Sequence, residues 1–222
     1  MPTTNSPAPA LPRARSLRRL AIASLAGPVA LAALSLAAGA PAAAAAPAEP
    51  GQVLRLVEVS LQGDDTAWTG TISFGLLTSG PAQSRVVRPV PVAIDLTRTQ
   101  CDMAGCVTTS IVTASSMASP SIARVARRLT SAALDPSAIA VTVRRSAGGT
   151  PVGEYLAVLP LSVKARKAGD LTRVTDLIQG PEGERFTVTE RMPMRAWVTM
   201  AGETVQAGAV ASRARTVVGD IG

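Results

Sequence analysis

Val57-Glu58-Val59-Ser60-Leu61, then a turn, then Trp68-Thr69-Gly70-Thr71-Ile72-Ser73-Phe74-Gly75-Leu76: these two runs decide the fold. Apolar residues recur at nearly every second position. Trp68, Ile72, Phe74 and Leu76 share one face, while Thr69, Thr71 and Ser73 share the other. Successive side chains of a strand point to opposite sides, so such runs are strands with one dry and one wet face. Gly63-Asp64-Asp65 between them is turn material. Gly70 falls on the apolar face, where a missing side chain marks close packing or a bulge.

The same period continues outward. Val90, Val92, Ile94 and Leu96 alternate with Pro89, Pro91, Asp95 and Thr97, and the prolines, which lack an N–H, predict a sheet edge or bend there. Further strand-like runs are Val107–Thr113, Ile139–Val143, Tyr155–Val163, Leu171–Ile178, Phe186–Glu190 and Met194–Met200. Ala201-Gly202-Glu203 reads as a hairpin turn into Thr204–Ala211, and Arg213–Val218 adds one more strand. The stretch from Ser119 to Leu134 reads two ways. Ser119-Pro120 could start a helix with Ile122, Val125, Ala126 and Leu129 on one face. Read as extended chain, Leu129–Leu134 is a short strand joined through Asp135-Pro136 to the next, and the all-strand surroundings favour this reading. The expected fold is all-β: an antiparallel sandwich of about eight to ten strands over residues 53–222. If that region held two smaller β-domains, they would part near Gly148-Gly149.

The N-terminus carries a different message. Arg13, Arg15, Arg18 and Arg19 precede an uncharged apolar run from Leu20 to Ala46, and Ala43 with Ala45 supplies a small-residue processing site. That order reads as a secretory signal peptide over residues 1–45, followed by a flexible lead over 46–52. An uncleaved anchor is the alternative, disfavoured by Gly27-Pro28, Pro41 and the weakly hydrophobic alanine tract. Arg18-Arg19 followed by Leu20-Ala21-Ile22 is a poor twin-arginine signal. With four basic residues removed, the mature chain has 18 basic and 15 acidic residues, net +3 rather than +7. Nucleic acid is therefore not an expected partner, and no second apolar stretch is long enough to span a membrane.

There is no histidine, and cysteine occurs twice. Imidazole-based triads, histidine metal sites and four-cysteine zinc sites are excluded together. Asp64-Asp65 and Glu182-Gly183-Glu184 lie in turn-like segments and form no recognised acid–base or calcium pattern. Trp68 and Phe74 read as core; Trp197 is out of phase with Met194, Ala196, Val198 and Met200. Arg144-Arg145 together with Arg124, Arg127 and Arg128 would make a basic patch only if the fold gathered them.

Cys101-Asp102-Met103-Ala104-Gly105-Cys106 is the most distinctive local feature. In an exported chain, two cysteines this close predict a disulfide. It would staple a hairpin between the strand ending near Thr99 and the one starting near Val107, or hold Asp102 and Met103 as a rigid display loop. The alanine-rich leader, this C-x4-C and the run Leu129-Thr130-Ser131-Ala132-Ala133-Leu134-Asp135-Pro136-Ser137-Ala138-Ile139-Ala140-Val141 together resemble a loose group of uncharacterised exported proteins of actinobacteria. The resemblance implies export and a β-rich fold, and transfers no functional residue. The function expected is a non-enzymatic exported interaction module, with no metal and no cofactor. It would be secreted or associated with the envelope, and its partner another secreted protein or an anionic envelope polymer. The alternatives are a protein binder or protease inhibitor displaying the loop, and a carboxylate-dependent enzyme such as a glycosidase.

Overall fold

A computed structural model describes residues 51–62, 67–81, 83–113, 116–117, 122–180 and 183–218. The signal-peptide reading, Asp64-Asp65 and Glu182 lie outside the described residues. Among the described residues eleven strands follow one another: β1 (Val53–Leu61), β2 (Trp68–Ser79), β3 (Val86–Asp102), β4 (Gly105–Val112), β5 (Ser116–Met117), β6 (Ala123–Val125), β7 (Ser131–Ala147), β8 (Thr150–Lys167), β9 (Thr172–Gly180), β10 (Gly183–Met200) and β11 (Glu203–Val218). The all-β antiparallel class expected from the alternation is what the chain forms.

The pairings join one sheet rather than two. Neighbours run β1-β2-β3-β4-β7-β8-β10-β11, and β11 pairs back onto β1, so eight strands make a closed up-and-down circuit. A sandwich and a barrel share the same inward alternation; only the pairing of the first strand with the last separates them. Partners followed from Leu156 through Thr142, Val112, Asp95, Thr71, Ser60, Gly208 and Arg195 return to β8 at Arg166, ten residues from the start. Such a stagger is what tilted strands need in order to close, and eight strands enclose a space that side chains can fill.

They do fill it. Val57, Val59, Leu61, Ile72, Phe74, Ile94, Leu96, Leu161 and Val163 are almost wholly buried, each on the inward phase of its strand. Ala207, Ala209 and Ala211 line the inner face of β11, and the larger Met194 and Met192 of β10 sit beside Ala209 and Ala211. Large beside small is how a barrel interior reaches close packing. Glu58, Thr69 and Asp95 take the outward phase. The outer face is mixed, for Val152, Leu156 and Val158 on β8 and Val210 on β11 are exposed apolar residues of that phase.

Two strands approach β2 unusually closely. A Cβ on Gly75 would lie 2.3 Å from the Arg55 carbonyl oxygen of β1, and one on Gly70 would lie 2.0 Å from the Asp95 carbonyl oxygen of β3. Between them the β2–β3 register slips by one residue, from Ser73↔Ala93 to Gly75↔Val90. Pro91 sits at that slip and pairs with β5, beyond the end of the β4 ladder, so the prolines do mark an irregular edge.

Several sequence boundaries move. Asp135-Pro136 is no turn: β7 runs straight through it with a bulge between Leu134 and Ser137, which absorbs the missing N–H of Pro136. Phe186–Glu190 and Met194–Met200 are one strand, as are Thr204–Ala211 and Arg213–Val218. β9 prolongs β8 along the same side of β10, after a break opposite Pro193 where the Ala168 N–H donates to the Pro193 carbonyl (2.9 Å). Gly148-Gly149 makes the β7–β8 hairpin turn inside the sheet.

One end of the barrel is covered. β6 pairs with the start of β7, and the chain then turns so that Leu129, at φ 56° and 1% exposed, is driven into the core. Two guanidiniums from the barrel hold this cap: Arg55 donates to the Val125 carbonyl (2.8 Å) and Thr78 Oγ1 (3.0 Å), and Arg213 donates to the Arg127 carbonyl (2.9 Å). Burial, then the charges of Arg127, Arg213 and Arg85, push the Arg55 pKa below its usual value. Arg213 also pairs with Glu190, a carboxylate only 8% exposed.

Candidate functional site at the barrel mouth

Among the described residues nothing covers the opposite end, and its rim is uneven. β10 stops at Met200, which pairs with Leu161, whereas β8 continues upward from Pro160 to Thr150 alongside β7. β3 and β4 rise on the same side to a hairpin tip. The ten-residue stagger thus raises one wall, β3-β4-β7-β8, above the rest.

At the tip of that wall Cys101 and Cys106 are directly opposed partners joined by a disulfide, with Cα atoms 4.0 Å apart. Asp102 pairs with Gly105, which leaves Met103-Ala104 as a two-residue turn. The Asp102 carboxylate accepts the Ala104 N–H (2.8 Å), so it supports the turn, while Met103 is wholly exposed. The staple and the display readings are therefore compatible: the bond fixes the hairpin, and the hairpin presents Met103.

Below the tip, on the concave side, a cleft of about 350 Å³ is lined by Trp68, Arg98, Gln100, Asp102, Val107, Thr109 and Arg145. Trp68 forms its inner end, and the Arg98 guanidinium carbon lies 5.6 Å from the centre of its ring. Asp102 is the one carboxylate lining the cleft among the described residues. Sequence reasoning offered Asp102 as a binding candidate, placed Arg145 in a different basic patch and Trp68 in the core, and did not single out Arg98, Gln100, Val107 or Thr109. A signal was present: Arg98, Thr109 and Arg145 each stand one inward step beyond a core residue, Leu96, Ile111 and Val143.

The basic residues do not gather as one patch. Arg144 and Arg145 lie near the open end, with Arg144 bound to Glu154 (2.9 Å); Arg124, Arg127 and Arg128 belong to the capped end, with Arg124 paired to Asp135. An open groove of about 540 Å³ flanks the cap between Leu76, Ala123–Ala126 and Ser131–Ala133. Trp197 is half-buried on the outer face of β10. No family model, no curated protein and no solved structure matches the chain.

Proposed function

We propose that the protein is an exported, non-enzymatic interaction module whose contact element is the Cys101–Cys106 hairpin tip. The observation that carries this reading is the wholly exposed Met103 on a two-residue turn, locked by a cross-strand disulfide at the summit of the tall wall. A loop held in one shape loses little entropy on binding. The oxidised cysteine pair and the basic-apolar-small order of the leader support an extracellular location. The partner is another secreted protein.

A photo-crosslinking residue at position 103 tests this in native culture fluid. One defined adduct, absent when the same group is placed at Val210 on the far wall, is the expected result; no adduct, or equal yield from both positions, removes the tip as the contact element. The intact mass tests export: a chain starting near Ala46 and two units heavier after reduction is expected. A full-length mass confined to the envelope would make the leader an anchor. Turnover of a glycan that depends on a carboxylate pair would replace the non-enzymatic reading altogether.

A further inference from the structure

The cleft beneath the tip has an order of its own, independent of whatever the tip contacts. Backbone partners place Trp68 opposite Arg98, Arg98 opposite Thr109, Thr109 opposite Arg145, and Arg145 opposite Gly153. Five strands thus contribute one rung, and on its inward side the side chains read ring, guanidinium, hydroxyl, guanidinium, nothing. Strands lie about 4.8 Å apart, so the two arginine backbones are separated by roughly 10 Å, a span that two long side chains can close upon one small ligand. Gly153 leaves the fifth position without a side chain.

No carboxylate among the described residues neutralises the two charges of this rung, and Arg98 has only the Trp68 ring beside it. Arg144, Arg124 and Arg213 each hold a carboxylate, whereas neither Arg98 nor Arg145 enters an ion pair among the described residues. The Nε of Arg98 is buried and has no hydrogen-bond partner. A buried donor left unpaired is costly, and an acceptor placed beside it relieves that cost. The one carboxylate that lines the cleft among the described residues, Asp102, stands two steps higher at the rim with an oxygen engaged by the Ala104 N–H. It repels an anion from the rim and leaves the rung as the receptive level.

We infer that this rung is a binding site for the oxyanion of a small molecule, a carboxylate or a phosphate, held by Arg98 and Arg145 with Thr109 donating between them. Guanidinium forks match both groups in shape and charge. Trp68 in contact with Arg98 makes the site its own reporter.

The test is a fluorescence titration of the native protein carrying Trp197→Phe, so that Trp68 is the emitter, with inorganic phosphate and separately with succinate at constant ionic strength. A saturable change is expected with at least one probe. Arg145→Gln and Arg98→Gln should each weaken it at least tenfold, while Arg195→Gln, on the outer face of β10, leaves it unchanged. Response to phosphate alone assigns a phosphorylated ligand, and response to succinate alone an organic acid; response to both supports the oxyanion site without separating them. Arg145 is exposed, so its variant reports binding even if Arg98→Gln fails to fold. No saturable response to either probe, a response that chloride reproduces, or one that Arg145→Gln leaves intact overturns the inference.

Discussion

Replacing Gly70 with alanine puts one methyl group where β3 already stands. The new carbon would lie 2.0 Å from the Asp95 carbonyl oxygen and 3.0 Å from the Leu96 Cα. A methyl has no rotamer with which to escape, so β2 and β3 must part by at least about 1.4 Å for ordinary contact to return, and overpacking of this kind costs about 1–3 kcal/mol. Gly70 also has φ +130°, where side-chain-bearing residues pay about 1–3 kcal/mol. Together these amount to about 4 kcal/mol. For a chain of this size each kcal/mol lowers the melting temperature by about 2–4 °C, so a fall of about 8–16 °C is expected. Thermal unfolding followed by circular dichroism, with a urea midpoint as a second measure, reads the effect. Gly208→Ala is the control: nothing lies within 4 Å of its Cβ, and its stability should stay within about 0.5 kcal/mol of the parent. If Gly70→Ala melts alongside Gly208→Ala, the close approach of β2 and β3 is not real and the register built on it fails.

Removing the disulfide with Cys101→Ser and Cys106→Ser closes no new cavity and frees only a short loop, so about 2 kcal/mol should be lost while the barrel stays folded; collapse of the near-ultraviolet spectrum would contradict this. Leu129→Ala should cost about 2–5 kcal/mol in urea unfolding because a wholly buried side chain is deleted from the cap. Since position 129 has a left-handed φ, Leu129→Gly should be no worse than Leu129→Ala, the reverse of the usual order. Arg213→Met strands the Glu190 carboxylate in a nearly dry site and should cost about 3 kcal/mol. Adding Glu190→Gln should recover much of that loss in a double-mutant cycle, and purely additive effects would show that the pair is not coupled.

How much of this was legible beforehand follows from what period-two patterning can carry. Ile72, Phe74, Ile94 and Leu96 were readable as core because alternation is a local property of a strand. Closure was not, because it rests on β1 finding β11, a pairing between Val53 and Arg215 that nothing in either segment announces. Pro136 misled for a related reason: a proline after aspartate signals a turn, but a bulge disposes of its missing N–H equally well. The hairpin tip was visible from cysteine spacing alone. The cleft was half visible. Arg98, Thr109 and Arg145 stood in the inward phase, yet only the register brings three residues from three strands onto one rung. The same register parts Arg144 from Arg124, so the condition for a shared basic patch is not met.

The pairing of β1 with β11 also bears on the order in which the chain can assemble. Val53 meets its β2 partner Thr78 after a short excursion, but its other neighbour, Arg215, is made last. As the chain emerges the first strand therefore waits with one side unsatisfied while six other barrel strands form a growing, curling ribbon. Contacts between distant residues are reached late because the intervening chain must first be ordered. Vectorial growth and native closure pull in opposite directions here. The step that turns ribbon into barrel is withheld until the final strand arrives, and every intermediate before it carries two open edges.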